Sequence, residues 1–137
     1  MSVSDDEAAV RTLVESWTAA VRNKDIAGIL ENHSPDIVMF DVPPPFQSRG
    51  IEAYKKTWDF FYSWTNDPIP FDIAEMSITA GRDVAFVVAV LHCAQPGRSG
   101  EQIPLDFRLT IGLRKIDGDG SSPTNIIRFR PRTDVSR

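Results

Sequence analysis

The sequence is poor in the residues that mark several large classes of protein. Its 137 residues include a single cysteine, Cys93, so the chain can form no internal disulfide and no thiolate metal cluster. The histidines are also few, His33 and His92, and too dispersed to suit a metal site. No apolar run reaches the length of a membrane span, and the polar, acidic N-terminus does not resemble a signal peptide. We therefore expect a cytoplasmic protein that binds no membrane, no metal and no cofactor.

The chain also lacks an excess of positive charge and the common catalytic loops. Its formal net charge is −4, with an isoelectric point near 5.1, which argues against a nucleic-acid partner because such proteins present basic faces to phosphates. No Gly-rich phosphate loop, nucleophile elbow or HExxH pattern occurs, so phosphoryl transfer and serine hydrolysis are disfavoured. An acidic protein of this kind remains compatible with small neutral ligands.

What the sequence does contain is the composition of one globular domain, with 42% hydrophobic and 25% charged residues. Helical spacing of apolar residues predicts a first helix over residues 5–22, opened by a capping box at Ser4, and a short second helix capped by Asp25. A strand over residues 37–41 follows and ends at three prolines. A third helix with an aromatic stripe begins at Ile51.

Three strands are predicted downstream, over residues 71–79, 84–93 and 103–115, and turn-forming segments separate them. Neighbouring strands joined by short turns pair antiparallel. The longer strands are apolar on both faces, so helices can cover one face while the other meets a second subunit. We expect a homodimer that forms through the outer face of the sheet.

Asp41 ends the strand over residues 37–41, on the same face as Ile37 and Met39. A carboxylate in that position can be a structural cap or ion-pair partner, a base that faces a pocket, or an exposed strand end. Alternation also places Asp106 and Arg108 on one face of a later strand, where a salt bridge between them is one expectation.

Four short stretches carry a resemblance to known proteins: Trp17-Thr-Ala-Ala-Val-Arg-Asn-Lys-Asp25, Ser34-Pro-Asp-Ile-Val-Met-Phe-Asp41, Arg49-Gly50 and Pro104-Leu-Asp106-Phe-Arg108. Together the sequence resembles the nuclear transport factor 2-like superfamily, and within it the ketosteroid isomerases and SnoaL-like polyketide cyclases. The resemblance implies an α+β fold, a cone-shaped curved antiparallel sheet closed by the N-terminal helices around a hydrophobic pocket.

The same resemblance implies roles for individual residues. In ketosteroid isomerases, a strand-end carboxylate abstracts a proton next to a carbonyl, and a tyrosine and a protonated aspartic acid stabilise the enolate oxygen; this family is also a standard example of carboxyl pKa tuning. By motif, Asp41 falls on the base and Asp106 on the acid. Trp17 replaces the tyrosine, and Arg108-Leu109-Thr110 resembles an Arg-x-Thr pattern of SnoaL-like relatives. Asp106 is therefore either a neutral acid or a partner of Arg108.

These expectations define a predicted pocket and two candidate functions. The catalytic residues are Asp41 and Asp106, and the pocket is completed by Val14, Trp17, Met39, Tyr54, Trp58, Val88, Val90, His92 and Arg108. The leading function is an isomerase or cyclase that abstracts a proton next to the carbonyl of a small apolar ligand. The alternative is a non-catalytic ligand-binding or accessory protein on the same fold.

The C-terminal tail, residues 120–137, is atypical for the family that the sequence resembles. Arginines and Pro131 give it a basic, breaker-rich character, where relatives carry a Gly-x-Trp pair and a strand with histidines. One hypothesis is that this segment is read from a shifted frame. A short edge strand over residues 126–129 remains compatible with it. Residues 1–6 and 130–137 of the single domain, 1–137, are expected to be disordered.

Overall fold

The computed structural model describes residues 3–33, 35, 37–39, 48–116 and 125–135. Three helices precede a four-stranded antiparallel sheet, and a small two-stranded sheet lies between the second and third helices. The elements in chain order are α1 (Val3–Arg22), α2 (Ile26–Leu30), β1 (Val38–Met39), β2 (Ser48–Arg49), α3 (Ile51–Tyr62), β3 (Asp72–Ala80), β4 (Val84–Pro96), β5 (Gln102–Ile116) and β6 (Asn125–Val135).

The two N-terminal helices form largely as the sequence predicts. α1 begins at Val3, so Ser4 falls within the bounds of the helix, and the buried stripe of α1 includes Val10, Val14 and Trp17. Asp25 is confirmed as the N-cap of α2, because its carboxylate accepts a hydrogen bond from the Gly28 amide over 3.1 Å.

The start of α3 is tied to the segment that leads into β1. Gly50 has φ of +90°, a conformation that side chains with a Cβ rarely adopt, and this turn directs the chain from β2 into the helix. The Gly50 amide donates to the Ile37 carbonyl over 2.7 Å, and the Ile51 amide donates to the Pro35 carbonyl over 3.1 Å. β1 pairs with β2, an element that the sequence did not predict. The two hydrogen bonds from Gly50 and Ile51 hold the segment before β1 against the first turn of α3.

The main sheet has the strand order β3-β4-β5-β6, with every neighbouring pair antiparallel. The predicted antiparallel meander is therefore confirmed. The Gly81 amide donates to the Val84 carbonyl over 2.7 Å and closes the β3–β4 turn, and the Gly97 amide does the same for Glu101 between β4 and β5. α1 contacts β3, and the aromatic stripe of α3 packs on Phe71 at the start of the sheet.

The sheet face that the helices cover is the odd-numbered one. Val87, Ala89, Leu91, Leu109 and Ile111 are each at most 2% exposed and belong to the core. The even-numbered residues of the same strands face outward. The five odd-numbered side chains named above are all apolar, so burying them removes no charge from water.

This assignment corrects the sequence prediction, which placed the even-numbered side chains in the pocket. The residues concerned are Val88, Val90, His92, Asp106 and Arg108, and the structure places them on the outer face of β4 and β5. Three of these five side chains are polar or charged. Covering them with helices would require the desolvation of an ionisable row, whereas the opposite face carries no such cost.

The C-terminal strand is longer than the sequence predicts. β6 spans Asn125–Val135 and pairs with β5 along its length, so residues 130–135, expected to be disordered, belong to the sheet. Main-chain hydrogen bonds to an open strand edge depend little on side-chain type, which explains how an atypical sequence can still form the strand. Pro131 lies opposite Ile111 and is tolerated because β6 is at the sheet edge.

Two neighbouring valines of β4 test the assignment of faces. Val87 is 0% exposed and Val88 is 49% exposed. We expect Val87→Ala to lower the free energy of unfolding by about 2 kcal/mol, and Val88→Ala by well under 1 kcal/mol. Urea denaturation in dilute protein solution measures both. Equal losses for the two variants, or a larger loss for Val88→Ala, would contradict the assignment.

Candidate functional site

A cluster of aromatic side chains lies between the helices and the covered face of the sheet. Trp17 comes from α1, Tyr54 and Trp58 come one helical turn apart from α3, and Phe71 closes the cluster beside β3. Their ring centroids are 5.3 to 6.0 Å apart with near-perpendicular planes, the edge-to-face geometry that aromatic pairs prefer. Val14, another predicted pocket residue, is also buried in this core. The structure thus brings together four of the predicted pocket residues: Val14, Trp17, Tyr54 and Trp58.

Trp17 and Tyr54 join α1 to α3 through a hydrogen bond inside the core. The Trp17 Nε1–H donates to the Tyr54 phenol oxygen over 3.1 Å, and Tyr54 is 1% exposed. Burial raises the pKa of Tyr54 above its ordinary value, while the indole N–H groups of Trp58 and Trp17 act in the opposite direction. Trp58 Nε1 faces the phenol without reaching hydrogen-bond geometry to any described residue. The phenol therefore keeps its proton at neutral pH, and its O–H is a group that can donate a hydrogen bond but not one that is free of partners in the folded chain.

His33 is the residue of this site that sequence reasoning missed. Its ring stacks on Tyr54 with the centroids 4.8 Å apart and the planes 28° apart, and the side chain is buried. Burial lowers the pKa of His33 to about 4, so the ring is neutral at physiological pH. Its Nδ1 lies 2.9 Å from the Glu31 carbonyl oxygen, which can only accept, so Nδ1 carries the proton and donates. No pattern in the sequence distinguishes His33 from an exposed histidine that follows a helix.

Ile37, directly before β1, belongs to the same buried core as this cluster. Ile37 is 1% exposed, and β1 is held to β2 beside the N-terminus of α3, the helix that carries Tyr54. Asp41 itself, the predicted base, lies outside the described residues, two positions beyond the end of β1. Met39 belongs to β1 and pairs with Ser48. The roles of Asp41 and Met39 remain predictions.

The other predicted site residues form a separate group on the outer sheet face. His92 lies directly opposite Asp106 in the β4–β5 register, and His92 Nδ1 is 2.5 Å from Asp106 Oδ1. Both side chains are more than half exposed. Asp106 thus pairs with His92 instead of Arg108, because cross-strand neighbours lie closer than residues two positions apart on one strand. The outer face cannot contribute these groups to a pocket under the helices.

A groove on the surface between α1 and α2 has a volume of about 300 Å³. Trp17 and Ala20 form its floor, and Asn23, Glu31 and Asn32 lie on its rim. Trp17 therefore contributes both to this groove and to the aromatic cluster. Within the described part of the chain, no three His, Cys, Asp or Glu side chains come together as metal ligands do. None of the helices described here is both long enough and apolar enough to cross a bilayer.

The helices, the curved sheet and the enclosed aromatic cluster define an NTF2-like α+β cone, and comparison with solved structures agrees. An NTF2-like protein of unknown function from Pseudomonas putida KT2440 is 29% identical, with a TM-score of 0.76 over 96% of this chain and 88% of that chain. A ketosteroid isomerase-like protein from Erwinia carotovora atroseptica is 16% identical, with a TM-score of 0.70 over 93% and 95%. The CaMKII hub of S. rosetta is 14% identical, with a TM-score of 0.72 over 95% and 96%.

Residues 10–119 match the SnoaL-like domain family, which is most of the chain. The protein belongs to this family, as the sequence motifs indicated. No curated protein matches the chain. The family assignment and the fold are therefore established, while the ligand and the reaction have to be argued from the residues themselves.

The buried histidine makes the stability of the protein dependent on pH. His33 has a pKa of about 4 in the folded chain, against 6.5 for an unperturbed histidine. Between these pH values the unfolded chain binds a proton that the folded chain does not, so the free energy of unfolding falls as the pH falls. We expect this residue to account for a loss of about 3 kcal/mol across the window. Urea denaturation between pH 7 and pH 4 measures it.

His33→Phe, which keeps a stacked ring without a titrating nitrogen, should lose less stability than the wild type over the same window. If His33→Phe loses as much stability as the wild type on acidification, His33 is not the group responsible.

Proposed function

We propose that this protein binds a small apolar carbonyl compound inside its cone and removes a proton from the carbon next to the carbonyl, as an isomerase or cyclase does. The observation that carries the proposal is the buried Trp17–Tyr54 hydrogen bond within the aromatic cluster of a SnoaL-like domain. An apolar enclosure with a few hydrogen-bonding groups is the usual character of a small-molecule site.

In this proposal Asp41 is the base. Its carboxylate takes the proton from the α-carbon, the C–H electron pair forms a carbon–carbon double bond, and the carbonyl oxygen becomes an enolate. An isomerase then returns the proton to a different carbon. A carboxylate placed in an apolar enclosure is a stronger base than one in water, because desolvation disfavours its charge.

The donor to the enolate oxygen is Tyr54. Asp106 and Arg108, the donors expected from the sequence, lie on the outer face of the sheet, whereas the Tyr54 phenol is protonated and lies inside. Trp17 occupies the position on the first helix where ketosteroid isomerases carry a tyrosine. Its N–H donates to the Tyr54 phenol oxygen and so orients the Tyr54 hydroxyl. A donor held in place before the reaction stabilises charge that develops during it.

A non-catalytic ligand-binding or accessory role is the second candidate. It is favoured by the departure of Trp17 from the tyrosine of ketosteroid isomerases, and by the placement of Asp106 away from the core. The same cone would then hold a ligand without converting it, and Tyr54 would serve only to bind its oxygen.

We also propose that the protein is a homodimer joined through the outer face of the main sheet. Along β4, Val84 is 62% exposed, Phe86 is 49% exposed and Val88 is 49% exposed. Together with Val90 these side chains form an apolar stripe down the middle of the sheet, referred to below as the β4 stripe. A contiguous apolar surface of this kind is characteristic of a protein interface.

The catalytic proposal is tested first with ligands and then with variants. A thermal-shift screen with ketosteroids and polyketide-like enones should yield at least one compound that raises the melting temperature, and absorbance of the conjugated product then follows its conversion. We expect Asp41→Asn to abolish conversion. Tyr54→Phe, which removes only the hydroxyl, should lower kcat by about 100- to 1,000-fold, the cost of losing one preorganised donor.

Tyr62→Phe is the matched control, because the Tyr62 hydroxyl donates to the Val21 carbonyl outside the Trp17–Tyr54 pair. It should leave kcat within about threefold of the wild type, since no donor to the ligand is lost. Unchanged conversion by Asp41→Asn would remove Asp41 from the mechanism. Ligands that stabilise the protein but are never converted would favour the non-catalytic role.

A further inference from the structure

Two opposite charges flank the β4 stripe on the outer sheet face. Glu75 on β3 and Arg108 on β5 are both exposed and both lie in register with Val90, one on each side of it. Neighbouring strands are about 4.8 Å apart, so the two backbones are roughly 10 Å apart across β4. Among the side chains that the structure describes, which exclude those of β6, neither Glu75 nor Arg108 has an ion-pair partner. The outer face thus has an acidic border and a basic border at the same height along the strands.

We infer that the two-fold axis of the dimer runs along β4, and that Glu75 of each protomer pairs with Arg108 of the other. This inference rests on the proposed homodimer and specifies its geometry. It also gives Arg108, which the sequence placed in a ligand pocket, a role in recognising a second copy of the chain.

Rotation by 180° about an axis that lies between two facing sheets and follows β4 turns one sheet over onto the other. β4 then lies over the partner's β4, and β3 lies over the partner's β5, with positions along the strands preserved. Glu75 and Arg108 share one row, so each meets its opposite charge, and the contact repeats in reverse as an isologous interface requires.

An axis that runs across the strands does not provide this match. It would place β3 over the partner's β3, and β3, Asp72–Ala80, contains no lysine or arginine. Glu75 would then face no cation. Charge complementarity therefore favours the axis along β4.

The remaining rows of the outer face are compatible with the same axis. The β4 stripe lies over itself, so Phe86 and Val88 are covered by apolar side chains of the partner. In the row of His92, Asp72 would face the partner's Asp106. Each of these carboxylates already has a partner in its own chain, since Asp72 lies 3.5 Å from Arg22 and Asp106 lies 2.5 Å from His92.

Charge reversal in single and mixed variants tests the inference. Glu75→Arg places two arginines opposite each other at both ends of the interface, and Arg108→Glu does the same with two glutamates. Each variant alone should raise the dimer dissociation constant at least about tenfold, because like charges meet across the interface. A 1:1 mixture of the two variants restores both pairs in the heterodimer. Sedimentation velocity and native mass spectrometry measure the state and composition.

The wild type should be dimeric, each single variant mostly monomeric at the same concentration, and the mixture predominantly heterodimeric. The heterodimer also shows that both variants are folded. Glu15→Arg, the same charge change on the exposed side of α1, should dimerise like the wild type.

If the wild type is dimeric but the mixed variants form no preferred heterodimer, the axis and the Glu75–Arg108 pairing are overturned while the homodimer proposal stands. This would also be the outcome if Arg108 paired only within its chain, for instance with its β6 register partner Asp134. A monomeric wild type overturns both proposals.

Discussion

The side chains of Val87, Leu91 and Ile111 are completely buried because α1 and α3 cover one face of the main sheet, and most of the molecule follows from that contact. In antiparallel strands, register partners share a face, so the burial of one residue determines the direction of every other side chain in β4 and β5. The core of the covered face is apolar, whereas the outer face carries charges. Burying the apolar face releases the most water at no electrostatic cost.

The chemistry of the interior depends on which face of the main sheet the helices cover. With the ionisable rows of β4 and β5 facing outward, Trp17, Tyr54 and His33 supply the polar groups of the aromatic cluster in the described part of the chain. Burial keeps the phenol protonated and the imidazole neutral, because water no longer stabilises their charged forms. The proposed donor is therefore a neutral hydroxyl oriented by an indole, and in the proposed reaction charge would reach it with Asp41 and with the developing enolate.

The same contact leaves the outer face with two properties at once. It is apolar along β4, where Phe86 and Val88 are half exposed, and charged along its two borders at Glu75 and Arg108. Apolar area supplies free energy for association but little orientation, whereas paired charges fix the orientation at modest gain in affinity. A sheet with both can select a second copy of itself in one arrangement, which is the basis of the proposed interface.

Local patterns in the sequence were enough to determine the helices, the antiparallel strand order and the cap at Asp25, since each depends on residues close together in the chain. The family could also be read from short motifs, and with it the cone. Alternation within β4 could not decide which face turns inward, because both faces of that strand are apolar. The charged row of β5 already favoured the outer face, but the family motif placed His92, Asp106 and Arg108 in the pocket, wrongly. His33 became part of the site only through its stacking on Tyr54, a contact between residues 21 positions apart. Such choices depend on the total surface buried when helices and sheet meet, and only the tertiary structure contains that information.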